Sequence, residues 1–132
     1  MDAVEIIRLQ PAGLVASPAF SHVAIVPPGA TTVYVGGQNG VDAAGAVVSD
    51  DVAEQSTRAI DNAAIALEAA GASPADVVPW TVLIVEGADL AAAPGAVAPR
   101  PAGAGPPAPV TAAPAAGLRV PGALPATSAP PA

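Results

Sequence analysis

A chain of 132 residues suits one domain of ordinary size, and with no cysteine and a single histidine, His22, it lacks the makings of a disulfide framework, a thiolate nucleophile or a transition-metal cluster. It has no lysine, and Arg8, Arg58, Arg100 and Arg119 are its only cations at a net charge of −7, too few to neutralise a nucleic-acid backbone. Pro, Gly, Asp or Thr interrupts every hydrophobic run short of the about 18 apolar residues of a membrane span, and the acidic start Met1-Asp2-Ala3-Val4-Glu5 lacks the basic opening of a secretory signal, so the expectation is a soluble cytoplasmic protein.

In chain order, Val4-Glu5-Ile6-Ile7-Arg8-Leu9 reads as a strand, and His22-Val23-Ala24-Ile25-Val26 as a second. The β-branched and aromatic run Thr32-Val33-Tyr34-Val35-Gly36 reads as a third, and Pro27-Pro28-Gly29 between the last two argues a hairpin. Residues 51–70 carry Val52, Ala59, Ala63, Ala66, Leu67 and Ala70 at helical spacing, widened by Ile60 and Ala64, which predicts a helix with one face docked on a sheet. Asp51 is placed to cap its start, with Glu54 three residues on, and Gly71 to end it. Ser73-Pro74-Ala75-Asp76 predicts one short turn. Trp80-Thr81-Val82-Leu83-Ile84-Val85 predicts a fourth strand, apolar on both alternating faces, with Pro79 tolerable only at its beginning or on an edge. One helix covers one face of such a strand, so the other face needs a second sheet or another subunit.

Composition changes near Leu90. All 11 acidic residues and Phe20, Tyr34 and Trp80 lie in residues 1–90, whereas residues 91–132 hold 11 of the 17 prolines and 16 alanines. Few large side chains and many missing backbone donors favour polyproline II or irregular coil over strands and helices in that last third. The chain therefore divides into residues 1–90, sheet and main helix, and residues 91–132, either an eroded remainder of the same domain or an irregular tail.

Among short motifs, Gly36-Gly37-Gln38-Asn39-Gly40 stands out, but no Lys-Ser or Lys-Thr follows and the helix begins only near Asp51, so it is not a phosphate loop. A bend with Asn39-Gly40 at positive φ is expected, and bare amides there could also receive a carboxylate. Glu54, Asp61 and Glu68, seven residues apart, read as a solvated helix face rather than a paired-carboxylate site. Asn62, polar beside the apolar stripe, is expected to bond the backbone of a neighbouring loop. His22 has no assignable catalytic partner, Trp80 reads as a core or interface anchor, and Ser17, Ser21 and Ser56 have no nucleophile-elbow context.

The order strand, Ser17-Pro18-Ala19-Phe20-Ser21-His22, strand, Gly-Gly-Gln, Gly45-Ala46-Val47-Val48, then Glu54-Gln55-Ser56-Thr57-Arg58-Ala59-Ile60-Asp61-Asn62 resembles the RidA/YjgF (Rid) family. The likeness runs over residues 17–90, through Leu67-Glu68-Ala69-Ala70-Gly71-Ala72-Ser73 and Asp76-Val77-Val78 into Thr81-Val82-Leu83-Ile84-Val85, and fades over residues 91–132. It implies a chorismate-mutase-like α+β fold: a mixed sheet of about six strands with two helices packed on one face, the C-terminal third degraded or irregular here. It also implies a homotrimer with ligand clefts between subunits, and no metal, nucleotide or prosthetic group. Family members hydrolyse enamine/imine intermediates such as 2-aminoacrylate to the keto acid and ammonia, and others have been called endoribonucleases or translation inhibitors.

Carried over residue by residue, the family's cleft maps onto Phe20, where active members commonly have tyrosine, and onto Gly36, Gly37 and Gln38, where the family has Ser-Gly-Gln. The arginine that pairs with the substrate carboxylate should follow a Pro-Ala in the fifth strand, but the stretch reads Pro106-Pro107-Ala108-Pro109-Val110-Thr111. The glutamate usual in the last strand falls near Ala126. The resemblance thus implies a non-deaminating Rid protein binding a small metabolite. Its rivals are an imine deaminase using Arg100 or Arg119 from a displaced tail, and a degenerate, inactive homologue.

Overall fold

The computed structural model describes residues 5–87, 106–123 and 125–128. Its longest element is the helix α1, Val52–Ala69, and the local reasons are those of its sequence. Asp51 sits in extended backbone and its Oδ2 accepts the Glu54 N–H at 3.1 Å, satisfying one orphan donor of the first turn. Gly71 takes φ 78°, the left-handed conformation that lets the chain leave the helix, and its N–H donates to Glu68 O. Val52, Ala59, Ala63 and Leu67 are buried, while Glu54, Asp61 and Glu68 face solvent. Pro74–Asp76 then makes one 3-10 turn, where the Asp76 carboxylate accepts the Ser73 N–H at 2.9 Å.

Six strands accompany it: β1 Ile7–Leu9, β2 Val23–Ile25, β3 Gln38–Asn39, β4 Trp80–Val85, β5 Val110–Ala115 and β6 Pro125–Ser128. They form a two-stranded ribbon, β1 antiparallel to β2, and a four-stranded sheet in the order β3-β6-β4-β5. In that sheet β6 runs antiparallel to both neighbours and β4 runs parallel to β5. Helix α1 packs over β3 and β6. Ala63 and Leu67 of α1 meet Trp80, Val77 and Val35 in the core.

Burial along β4 alternates. Trp80, Val82 and Ile84 are buried on the helix side, whereas Leu83 on the opposite face is 37% exposed between half-buried Thr81 and Val85. The β1–β2 ribbon is similarly one-sided: Ile7, Leu9, Val23 and Ile25 share an exposed face. Its other face carries Arg8, whose Nη2 donates to Ala75 O and Val77 O, both at 2.9 Å, tying the ribbon to the turn before β4. Among the described residues, none covers Leu83 on the second face of β4.

Four expectations need correction. The run 32–36 is not a strand: it has no ladder pairing, burying Val35 but exposing Tyr34, and β2 spends its pairing on β1 instead of across Pro27-Pro28-Gly29. Gly40 does not have positive φ, and nor does Asn39. Glycine is required at 40 by contact, because a Cβ there would lie 2.5 Å from Gln55 O and 2.6 Å from its Cα.

The described residues hold one α-helix, not two. The resemblance implies two on one face; the connection from β4 to β5 over residues 88–105 lies outside the described residues. Finally, the C-terminal third is not irregular where it is described: β5 and β6 flank β4 on its two sides. Their prolines occupy the positions a sheet allows, Pro114 in edge strand β5 and Pro125 as the first residue of β6, so no central ladder donor is lost.

Candidate functional site

The sheet register determines which ends of the strands lie together. Trp80 stands opposite Val110, so β4 and β5 begin side by side. Thr81 stands opposite Ser128 and Val82 opposite Thr127, while Gln38 also pairs with Thr127, which puts the approach to β3 at the same end. Val35, one residue before Gly36, packs with Trp80 in the core, against which Ala108 and Val110 also rest. The Ser21 N–H donates to Ala108 O at 3.4 Å, which brings in its neighbour Phe20. Phe20, Gly36-Gly37-Gln38 and Pro109 are therefore drawn to one end of the sheet within a single chain.

At that end Phe20 is half-buried, its ring edge-on to His22 at 5.4 Å and 85°. The His22 ring is itself fixed, Nε2 lying 2.7 Å from Val15 O. Gly36 and Gly37 are exposed, and a Cβ on either would meet no atom within 4 Å. Their N–H groups have no backbone or side-chain acceptor among the described residues, and Gly36 O accepts the Gln38 Nε2 at 3.3 Å. A serine at 36, as in the family pattern, would fit. Its replacement by glycine is not imposed by packing.

A polar seam beneath β3 holds this loop in place. Asn62 Nδ2 donates to Asn39 O at 3.0 Å and to Val41 O at 2.8 Å, the loop-backbone role its sequence position predicts. Arg58 Nε donates to Val41 O at 3.2 Å and to Asn62 Oδ1 at 3.1 Å, and Asn39 Nδ2 donates to Pro125 O at 3.0 Å. Gln55, 0% exposed, reaches Ser49 O at 2.7 Å and Gly122 O at 3.1 Å with Nε2. Sequence reasoning missed Gln55. The available signal was its place at i+3 from Val52, on the stripe itself, where a polar residue must be bonded or expelled.

Among the described residues, no free guanidinium gathers at this end. Arg119 is exposed in the connection from β5 to β6, beyond the Pro125 end of β6 and hence at the opposite end of the sheet from Gly36. Arg100 lies outside the described residues. Arg58 serves the seam. Arg8 comes closest among the described cations, through Val77, but its Nη2 is spent on two carbonyls and its Nε is buried without a partner among the described residues; burial lowers its pKa, partly offset by the negative charge of Asp76. No group of three or more His, Asp or Glu placed to hold a metal occurs among the described residues. None of the described helices is long and apolar enough to cross a membrane.

Two depressions lined by described residues lie elsewhere. One, of about 350 Å³, is apolar and runs along residues 84–87 and 112–114, at the far end of β4 and β5. The other, of about 330 Å³, is a shallow hollow beside Glu54, Arg58 and Asp61 on the solvent side of α1. Neither contains Phe20, Gly36, Gly37 or Gln38.

Residues 12–123 match the family profile described as Endoribonuclease L-PSP. The chain belongs to the Rid/YjgF family. Solved structures agree. The Rid-family protein YyfB of Yersinia pestis, described as of unknown function, matches with a TM-score of 0.83 at 26% identity, over 96% of this chain and 97% of that one. RidA from an Antarctic Psychrobacter matches with a TM-score of 0.66 at 24% identity, over 92% of each chain. YEO7 of yeast matches with a TM-score of 0.67 at 19% identity, over 97% of this chain and 98% of that one, a likeness of fold alone. No curated protein matches the chain by sequence. The Rid match extends past residue 90, into the stretch where the motif likeness fades, so β5 falls within the family region.

Proposed function

We propose that this chain is a Rid protein of the non-deaminating kind, which assembles with copies of itself, most simply as a trimer, and binds a small metabolite in clefts between subunits. The observation that carries the reading is the residue at 109. The family's carboxylate-binding arginine follows a Pro-Ala; here Pro107-Ala108 is followed by Pro109, whose carbonyl is used to accept the Trp80 N–H at 2.9 Å. A guanidinium holds a carboxylate by two charge-assisted hydrogen bonds in fixed geometry, and a pyrrolidine ring offers neither charge nor donor. The serine hydroxyl and the last-strand glutamate are replaced as well, at Gly36 and near Ala126.

Assembly is supported by Leu83 on β4 and by the aliphatic face of the ribbon, both exposed among the described residues, which are the surfaces a second copy would bury. Leu83→Asp places a charge on that face; light scattering is expected to show the wild-type mass as a multiple of the chain and the variant as a single chain. A wild type of single-chain mass would remove the assembly from the reading.

The direct test of function is ammonia release from freshly generated 2-aminoacrylate. In family deamination its imine tautomer takes up water and yields pyruvate and ammonia. The expected result is release at the rate of the buffer alone. Sustained turnover by this chain would overturn the non-deaminating reading.

A further inference from the structure

We infer that Asn39-Gly40 is a self-modification site, at which Asn39 deamidates through a cyclic imide when strand β6 leaves β3 and is kept silent while the two are paired. The inference is independent of what the cleft binds.

An asparagine followed by glycine carries its own electrophile and nucleophile. Glycine has no Cβ to hinder its nitrogen, so Gly40 N can reach the side-chain carbon of Asn39 once the chain there is free to turn. A bond forms from Gly40 N to Asn39 Cγ, the Cγ–Nδ2 bond breaks, and ammonia leaves with the Gly40 amide proton. Water then opens the imide at one of its two carbonyls. One opening gives aspartate at 39, the other an isoaspartate whose main chain runs through the side-chain carbon. The other asparagine, Asn62, precedes Ala63 within α1, so its neighbouring nitrogen is both hindered and helical.

In the folded chain the reacting groups are held apart from each other's reach. Asn39 is half-buried opposite Ala126 of β6, and its Nδ2 donates to Pro125 O at 3.0 Å, the one side-chain bond of Asn39 among the described residues. The leaving amide is thus committed to the neighbouring strand. The backbone is pinned too: Asn39 O accepts the Val41 N–H at 2.9 Å and Asn62 Nδ2 at 3.0 Å, and Gly40 O accepts the Val48 N–H at 3.0 Å. Gly40 is buried so tightly against Gln55 that a single Cβ would collide. Of these restraints β6 is the gate. Strand β3 is two residues long, Gln38–Asn39, and lies at the sheet edge with β6 as its strand partner, so departure of β6 frees the side chain and leaves β3 too short to stay extended alone.

The product does not close as before. Aspartate at 39 lacks the Nδ2 donor, sets an acceptor against Pro125 O, and adds negative charge to a chain already at −7. Isoaspartate inserts a backbone atom into β3 and shifts its register against β6. One opening therefore leaves a permanent mark at the seam that holds the Gly36-Gly37-Gln38 loop.

The test incubates the full-length protein at mildly alkaline pH, in buffer and in urea that unfolds it, and follows Asn39 by peptide mapping, with mass spectrometry reading amide to acid and an isoaspartyl methyltransferase reading the rearranged backbone. Conversion at Asn39 is expected to be at least about tenfold slower in buffer than in urea, since its rate follows the open population, and Asn62 is expected to convert more slowly than Asn39 in urea. Amide exchange of residues 126–128 in buffer reports how often β6 opens, and the slowing at Asn39 should equal that protection to within about threefold. Equal rates in buffer and urea, faster conversion at Asn62, no conversion at Asn39 in urea, or a slowing that departs from the β6 protection each overturns the inference. Asn39→Asp supplies one product directly: exchange at 126–128 is expected to rise at least about threefold and by more than exchange along α1. Unchanged exchange at 126–128 overturns the permanence of the mark, and the wild-type comparison stands whether or not this variant folds.

Discussion

Trimming Trp80 to alanine is expected to remove about 3–5 kcal/mol of folding stability, the range for loss of a large buried aromatic together with the cavity it leaves. Trp80 is 3% exposed and shares one core cluster with residues from three separate parts of the molecule, Ala63 and Leu67 of the helix, Val35 on the approach to β3, and Val77 in the turn before β4. Domains of this size are stable by only about 5–15 kcal/mol, so the variant would sit near its unfolding threshold. A urea titration of both proteins measures the difference. The same substitution would loosen the floor under Gly36 and Pro109, so amide exchange should rise there before it rises at the far end of the sheet. A loss below about 1 kcal/mol would contradict the packing described for this residue.

The second large effect is at a residue with no side chain. Gly40→Ala is expected to cost about 1–3 kcal/mol or more through overpacking, because its Cβ would fall 2.5 Å from Gln55 O, 2.6 Å from Gln55 Cα and 2.7 Å from Gln55 Cβ. Two of these three atoms are backbone of α1 and cannot swing aside, so relief comes only by lifting the helix off β3. Lifting it also stretches the bonds of Asn62 to Asn39 O and Val41 O and those of Gln55 to Ser49 O and Gly122 O. Gly36→Ala is the control. Nothing lies within 4 Å of its added Cβ, and thermal melting should place it within about 0.5 kcal/mol of the wild type. Equal melting temperatures for the two variants would show that the helix does not approach β3 as closely as described.

What the sequence made readable follows from how local each cause is. The helix 51–70 is found as Val52–Ala69, and the fourth strand as Trp80–Val85, because periodicity, a capping aspartate and a terminal glycine are all written within a few residues of the element they set. Asn62 was readable for the same reason, as a polar residue with nowhere on its own helix to bond. The readings that failed depend on partners distant in sequence. Whether 32–36 forms a strand is decided by what β2 pairs with, and β2 pairs with β1. The glycine at 40 answers to Gln55, 15 positions away. The prolines of the last third looked incompatible with a sheet, yet their effect depends on strand order: at the edge or at the first residue the missing N–H is not missed.

For the candidate site the same division holds. Phe20, Gly36, Gly37 and Gln38 follow from a motif pattern local to the chain, whereas their place at one end of the sheet with Pro109 follows from register and from the Ser21–Ala108 bond. Ser21 has no sequence context for a nucleophile; that its hydroxyl is buried without a partner among the described residues becomes visible only in three dimensions.

Strand β6 lies between β3 and β4 although it follows both in the chain. As the polypeptide leaves the ribosome, β3, α1 and β4 are therefore all outside before the piece that joins them exists, and in the interval β3 and β4 each present a bare backbone edge. Such delayed closure raises contact order and slows folding. It also makes the nascent protein dependent on whatever shields those edges until synthesis reaches residue 128, and a message broken off upstream of residue 125 would yield a fragment with the gap left permanently open.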